Sequence, residues 1–136
     1  MAGQVITDAT VSVGAVDLSD YVQSVELSES YDELDTTNMG SGGRRERVAG
    51  LGDATVTMTF FQSWESSSVD ATISALVGTS AAVVIKPDSA ATGATNPSYS
   101  FNALIKEWTP MSATVGEVSM ASVTWSVDGV ITKATS

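Results

Sequence analysis

The chain has 136 residues and contains neither cysteine nor histidine. Without cysteine, a disulfide framework and a thiolate metal site are both excluded. Without histidine, the chain lacks the usual general base and the commonest metal ligand. A catalytic site would have to rest on carboxylates, serine–lysine pairs or tyrosine. We therefore expect a protein that is not an enzyme and that has no catalytic residues, no metal site and no cofactor.

Positive charge is scarce, because six basic residues face sixteen acidic ones and the formal net charge is -10. Proteins that grip nucleic acid need clustered lysine and arginine, so specific nucleic-acid binding is not expected. The acidity fits a soluble protein and equally a surface that DNA passes without adhering to it. Arg44, Arg45 and Arg47 supply half of the positive charge within one glycine-rich segment. This segment is either an exposed loop or an arm that docks onto an acidic surface, such as another copy of the chain.

Long apolar runs are also missing, and no segment approaches the roughly 20 residues that span a bilayer. The beginning of the chain shows neither the basic nor the apolar region of a secretory signal peptide. We expect a soluble protein without membrane insertion that is made in a cytoplasm. The length and the 43% hydrophobic content suit one domain that spans residues 1–136.

Two segments alternate with the period of a β-strand, residues 22–31 and 55–61, and a continuation of the first through residues 35–37 is left open. Each has one apolar face and one polar face, and a glycine-rich connection joins them. A long antiparallel hairpin with a loop at about residues 38–53 is the simplest interpretation. The polar face of this hairpin would carry six residues: Ser24, Glu26, Ser28, Thr55, Thr57 and Thr59.

One segment, about residues 66–78, has the pattern of an α-helix. Val69, Ile73, Leu76 and Val77 form an apolar stripe, serines precede it as candidate N-caps, and Gly78 favours a stop. Strands are predicted for the rest, in this order: a hairpin over 10–18 that turns at Gly14–Ala15, then 82–85, 99–108, 115–127 and 130–132. The expected fold is mainly β, with six to eight strands, one α-helix and no tandem repeat.

Three further features are weak signals of a site. The carboxylates of Asp32, Glu33 and Asp35 lack the spacing of an EF-hand loop, so solvated strand-end charges are the better interpretation. The glycines of residues 40–43 lack the sequence and the strand-to-helix context of a phosphate loop. The three tryptophans are dispersed, which favours packing over a stacking platform.

Taken in order, several short segments resemble the major tail (tail tube) proteins of bacteriophages with long, non-contractile tails. The resemblance covers nearly the whole chain. It rests on Val16–Val22 leading into Val25–Leu27, Asp32–Gly40, Arg44–Arg47, Ala49–Leu51, Thr57–Phe61, Ala75–Gly78, Ala94–Pro97 and Val123–Trp125.

This resemblance implies a mainly β subunit, an antiparallel β-sandwich or barrel with one flanking α-helix. It also implies a structural virion protein of six-membered rings. In the family, the inner sheets of six subunits join into a continuous barrel around a pore, and the rings stack into a tube that conducts the genome into the host. A long loop between two inner strands contacts the neighbouring ring. The implied partners are the chain itself, other tail proteins at the two ends of the tube, and double-stranded DNA that transits the lumen without specific binding. The implied location is the virion tail, after assembly in the cytoplasm of a host bacterium.

The resemblance also gives roles to the residues singled out above. Ser24, Glu26, Ser28, Thr55, Thr57 and Thr59 become candidates for the pore lining. Met39, Arg44, Arg45, Arg47 and Leu51 become candidates for the contact between rings. Two alternatives stay open at this point: a head-decoration or tail-terminator protein of the virion, and a surface module that binds a carbohydrate or a receptor.

Overall fold

A computed structural model describes residues 5–66 and 68–135 of the chain. All paired strands within it are antiparallel and form one sheet in the order β2-β1-β5-β6-β7-β4-β3. The expectation of a mainly β, antiparallel fold is confirmed. The elements are β1 (Thr10–Val13), β2 (Val16–Asp17), β3 (Val22–Asp35), β4 (Arg47–Phe61), α1 (Val69–Ile73), β5 (Ser80–Lys86), β6 (Ser98–Leu104) and β7 (Met120–Ala134).

Strand β7 folds this single sheet into two facing halves. Its first half, from Met120 to Ser126, pairs with β4, and its second half, from Ser126 to Ala134, pairs with β6. A register shift in the β6–β7 ladder lies opposite Gly129, whose φ of 92° favours glycine. A strand that changes partners in this way turns the corner between two packed sheets. The β3–β4–β7 half therefore packs against the β1–β5–β6 half.

Inward-facing residues from both halves form one apolar cluster. Trp125 is fully buried at its centre, and its indole N–H donates to the carbonyl of Glu107 at 2.9 Å. Burial of large apolar side chains is the main stabilising term in such a core. The other fully buried side chains include Val11, Val13, Leu18, Val56, Met58, Phe60, Val69, Ile73, Val83, Ile105 and Val123.

Helix α1 is shorter than predicted, because only Val69–Ile73 is helical, whereas residues 66–78 were expected to be. After Ser74 the chain forms tight turns, in which Leu76 N–H donates to the carbonyl of Ile73. Gly78 then donates to the carbonyl of Ile105, which ties the segment to the end of β6. Val69 and Ile73 of the predicted apolar stripe are fully buried and Leu76 packs against the core, but Val77 is 45% exposed. Residue 67 of the predicted helix lies outside the described residues.

The predicted glycine-rich loop at residues 38–53 is wrong in its second half. Strand β4 begins at Arg47, and the β3–β4 ladder continues to the pair Asp35–Arg47. Strand β7 pairs with β4 only as far as Thr55. Beyond that point the hairpin is a two-stranded extension that is exposed over most of its length. We call residues 29–54 the arm.

The observed ends of β6 and β7 also differ from the predicted ones, because pairing between strands sets where each strand begins and ends. Strand β6 ends at Leu104 rather than residue 108, because its partner β7 turns away toward β4. Strand β7 begins at Met120 rather than residue 115 and absorbs the short strand expected at 130–132. The predicted turn at Gly14–Ala15 is confirmed, and both residues have positive φ, 58° and 69°.

Candidate assembly surfaces

The six predicted pore-lining residues lie on one face of the β3–β4 ladder. Cross-strand pairing joins Ser24 to Thr59, Glu26 to Thr57 and Ser28 to Thr55. Directly paired residues project to the same side of a sheet. This side is opposite the buried side chains of β4, which are Val56, Met58 and Phe60. The structure therefore places all six together, outside the core.

Strand β7 extends this polar face with three residues that were not included in the prediction. Thr124 pairs with Thr57, and their hydroxyl oxygens are 3.4 Å apart. Ser122 pairs with Thr59, with hydroxyl oxygens 3.3 Å apart, and Ser126 pairs with Thr55. The alternation of residues 122–127 indicated a polar face on the last strand, but the sequence did not show which strand lies beside β4. We call the nine residues the hydroxyl face.

One cation borders the hydroxyl face, a feature that the sequence analysis missed. The Nζ atom of Lys106 is 3.3 Å from the hydroxyl of Ser126. The next residue, Glu107, accepts a hydrogen bond from the Thr124 backbone N–H at 2.9 Å. The segment after β6 thus runs beside the first half of β7, where a side chain takes the place of a strand partner. The face itself combines hydroxyl groups with the carboxylate of Glu26.

Two of the three arm arginines pair with carboxylates of the same arm. Arg45 Nη1 lies 3.1 Å from Asp35 Oδ2, and Arg47 pairs with Glu33. These pairs explain part of the acidic cluster as cross-strand partners. Arg44 has no ion pair among residues 5–66 and 68–135. Exposed pairs of this kind contribute little to stability, so their main effect here is to neutralise charge on the arm.

The turn at the end of the arm has a defined local structure. Asn38 accepts a hydrogen bond from Gly40 N–H at 2.8 Å, and its own N–H donates to Ser41 Oγ at 3.0 Å. Hydrogen bonds from Thr37 lower the pKa of Asp35, and Arg45 lowers it further. The turn is therefore held by side-chain caps on the backbone.

Apolar side chains project from the arm into solvent. Met39 and Leu51, both predicted to contact a neighbouring ring, are 103% and 82% exposed. Tyr31, Leu34 and Val48 are more than half exposed on the same arm. Exposed apolar groups that cluster on a protein surface are typical of interaction sites. The structure thus brings the predicted inter-ring residues onto one protruding element.

The remaining weak signals have structural explanations. Trp125 is core, and Trp108 packs edge-on against Phe60 while its indole N–H donates to Asp70. Trp64 is half exposed and stands apart. Within residues 5–66 and 68–135, no group of three or more acidic residues is arranged to hold a metal ion. In the same part of the chain, no helix has the length and apolarity needed to cross a membrane.

No protein-family model and no curated protein sequence matches this chain. Solved structures match it in fold. A chain in the virion of a native gene transfer agent particle superposes with a TM-score of 0.77 at 13% identity, over 97% of this chain and 99% of that one. A chain in the tail of an empty gene transfer agent particle, refined in C6 symmetry, gives 0.60 at 13% identity, over 82% and 81%.

A third match comes from the six-fold symmetrised baseplate of the anti-feeding prophage. It gives a TM-score of 0.63 at 10% identity and covers 99% of this chain and 98% of that one. At such low identity the similarity establishes the fold and not the activity. The chain therefore has the fold of components of a gene transfer agent virion, its tail and a prophage baseplate.

Proposed function

We propose that this chain is a structural virion protein, a tail tube subunit that assembles into stacked hexameric rings. The observation that carries the proposal is the hydroxyl face, a polar sheet surface on the side opposite the core. The fold of the protein also matches that of a chain in a tail particle refined in C6 symmetry. The resemblance in sequence to tail tube proteins supports the same role.

The β3–β4–β7 half of the fold has the properties of a wall segment. Its core side carries buried Val56, Met58 and Phe60, and its other side carries the hydroxyl face. In a ring, the core side would remain inside each subunit and the hydroxyl face would line the pore. A surface of hydroxyl groups and carboxylate offers no cluster of cations to phosphate, so DNA would pass without being held.

The free strand edges favour assembly with other copies. Strand β3 pairs with β4 on one side only. The first half of β7 pairs with β4 on one side, and on its other side it meets Glu107 of the segment after β6 rather than a further strand. Unpaired edges of this length are an aggregation hazard unless they are covered. Closed rings would cover these edges with the next subunit. The protein would thus act as a conduit for genome ejection and would catalyse no reaction.

Sedimentation velocity and negative-stain electron microscopy of the purified chain test this proposal. Rings or tubes with an open bore are the expected result. Persistent monomers at high concentration would contradict the tail tube role and would favour a monomeric binding module. Closed rings that never stack would favour a tail-terminator protein.

The direction of the hydroxyl face has its own test with a matched pair of variants. Thr57→Lys adds a cation to the hydroxyl face. Asn102→Lys adds a cation at an exposed position of β6, in the opposite half of the fold. In assembled tubes, Thr57→Lys should slow the passage of double-stranded DNA and Asn102→Lys should not. Equal passage in both variants would contradict a pore-lining position for Thr57.

A further inference from the structure

The free edge of β7 is covered by a side chain where a strand partner would lie. Strand β6 pairs with β7 only as far as the pair Leu104–Ser126. From there toward Met120, β7 has β4 on one side. On the other side, the Glu107 carboxylate accepts a hydrogen bond from the Thr124 backbone N–H at 2.9 Å. This carboxylate therefore occupies the place of a backbone carbonyl of a further strand.

The register of the sheet shows which backbone groups the two free edges offer. The Thr124 N–H points away from β4, so the pair Thr57–Thr124 is of the kind without mutual backbone hydrogen bonds. By the same alternation, the Ser122 N–H faces the free edge of β7. Thr57 then directs its backbone groups toward β3, which leaves those of Val25 and Leu27 facing the outer edge of β3. The two edges thus offer each other donors and acceptors.

The segment that carries Glu107 is anchored to the core. Ile105 is fully buried, and the indole N–H of Trp125 donates to the Glu107 carbonyl at 2.9 Å. The indole N–H of Trp108, the next residue, donates to Asp70 at 3.2 Å. The Glu107 side chain itself is exposed. It is therefore free to rotate away from the strand edge while its backbone stays in place.

We propose that the bond from Thr124 to Glu107 is an autoinhibitory contact, which blocks the β7 edge in the free subunit and is released when the β3 edge of a second copy pairs there. The inference rests on the proposed ring and adds a control over when the ring closes. A free strand edge is a template for pairing with other chains, and a charged side chain on the edge is a common protection. A carboxylate suits this position, because it accepts a charge-assisted hydrogen bond and repels the carbonyl oxygens of an approaching strand.

Charge and polarity favour β3 of a second copy as the strand that replaces Glu107. Strand β3 stands at the end of the strand order, so its outer edge is free to pair. Both edges belong to the hydroxyl face, which would continue from one copy to the next. Lys106 lies 3.3 Å from the Ser126 hydroxyl at this joint, and β3 would bring Glu26 toward it. Neither Lys106 nor Glu26 forms an ion pair within the described part of the chain.

The rate of assembly tests the autoinhibitory contact. Glu107→Ala deletes the acceptor, whereas Glu107→Gln keeps an acceptor oxygen without the charge. We expect the lag before ring formation, followed by light scattering, to shorten about fivefold or more in Glu107→Ala and less in Glu107→Gln. Glu117→Ala makes the same change in net charge at an exposed position of the loop before β7 and should keep the wild-type lag.

A stability measurement separates this role from a purely structural one. Glu107 is exposed, so Glu107→Ala should unfold at nearly the same denaturant concentration as wild type. Faster assembly at unchanged stability is the result that the autoinhibitory contact predicts. Lower stability without faster assembly would contradict it.

Amide hydrogen exchange of the dilute, monomeric subunit measures the contact itself. The Thr124 amide should exchange about threefold or more faster in Glu107→Ala than in Glu117→Ala. The Val123 amide, which points toward β4, should exchange equally in both. In assembled rings, Thr124 should be protected in both variants, because a carbonyl of the second copy replaces the carboxylate.

The outcomes separate this inference from the proposed function. Equal lag times in Glu107→Ala and Glu117→Ala, or equal exchange of Thr124 in both monomers, would overturn the inference and leave the tail tube role standing. A map of assembled rings in which Glu107 still contacts Thr124 would do the same. A chain that forms no rings in any of these variants would overturn the proposed function itself.

Discussion

The ring of Tyr31 lies directly over Gly52 across the β3–β4 ladder. A Cβ atom built at Gly52 would be 2.5 Å from Tyr31 Cε2, a distance that no real contact allows. The pair occupies the point where the arm leaves the body of the fold, and the two residues are directly opposite each other. An aromatic ring that covers a strand glycine compensates for the missing side chain.

Gly52→Ala should push the Tyr31 ring aside and loosen the arm. Because Tyr31 is 61% exposed, the ring is free to move, and the global free energy of unfolding should fall by less than about 1 kcal/mol. Hydrogen exchange should speed up for the arm amides and stay unchanged in β5 and β6. Tyr31→Ala should speed exchange in the same amides, and the double variant should show less than the sum of the two effects. Additive effects would contradict the contact.

The burial of Trp125 predicts a large loss of stability on truncation. Trp125→Ala removes a fully buried side chain and a hydrogen bond to Glu107, at a cost of about 3–5 kcal/mol. Trp64→Ala, at a 53% exposed position, should cost less than about 0.5 kcal/mol. Denaturant unfolding measures both. If Trp125→Ala does not fold, Trp125→Phe should still be clearly less stable than wild type. Similar losses at Trp64 and Trp125 would contradict the placement of the core.

The lowered pKa of Asp35 predicts a pH-dependent arm turn. Hydrogen bonds from Thr37, and then Arg45, favour the carboxylate form. A group whose pKa is lower in the folded chain stabilises the folded form at pH values above its ordinary pKa, which is 3.8 for Asp35. That contribution disappears as the pH falls through the lowered pKa. The amide resonance of Thr37 should therefore shift below pH 3.8, and Asp35→Asn should abolish the shift. A transition centred above that pH would contradict it.

Alternation predicted the faces of the sheet well, because one side is buried and the other is polar. Thr55, Thr57 and Thr59 were placed correctly relative to Val56 and Met58, since a period of two leaves only two choices. Alternation did not predict which strand pairs with β4. Pairing with β7 depends on contacts across the whole chain, so Thr124 and its neighbours were missed.

The arm shows where local patterns carry too little information. Gly50 and Gly52 indicated a loop, yet both lie in β4. Side chains of β3 cover them, Leu34 over Gly50 and the Tyr31 ring over Gly52. The alternation stops at Tyr31, so the continuation of the strand through residues 35–37 was left open, and β3 in fact ends at Asp35. The internal pairs of Arg45 and Arg47 were likewise missed, because they depend on the register of the hairpin.

A cryo-electron microscopy reconstruction of the assembled protein tests the central proposal most directly. The expected map shows sixfold rings around an open channel, with Ser24, Thr57 and Thr124 facing the channel and α1 on the outside. A map in which these three residues face outward, or in which the rings enclose no channel, would contradict the proposed tail tube subunit.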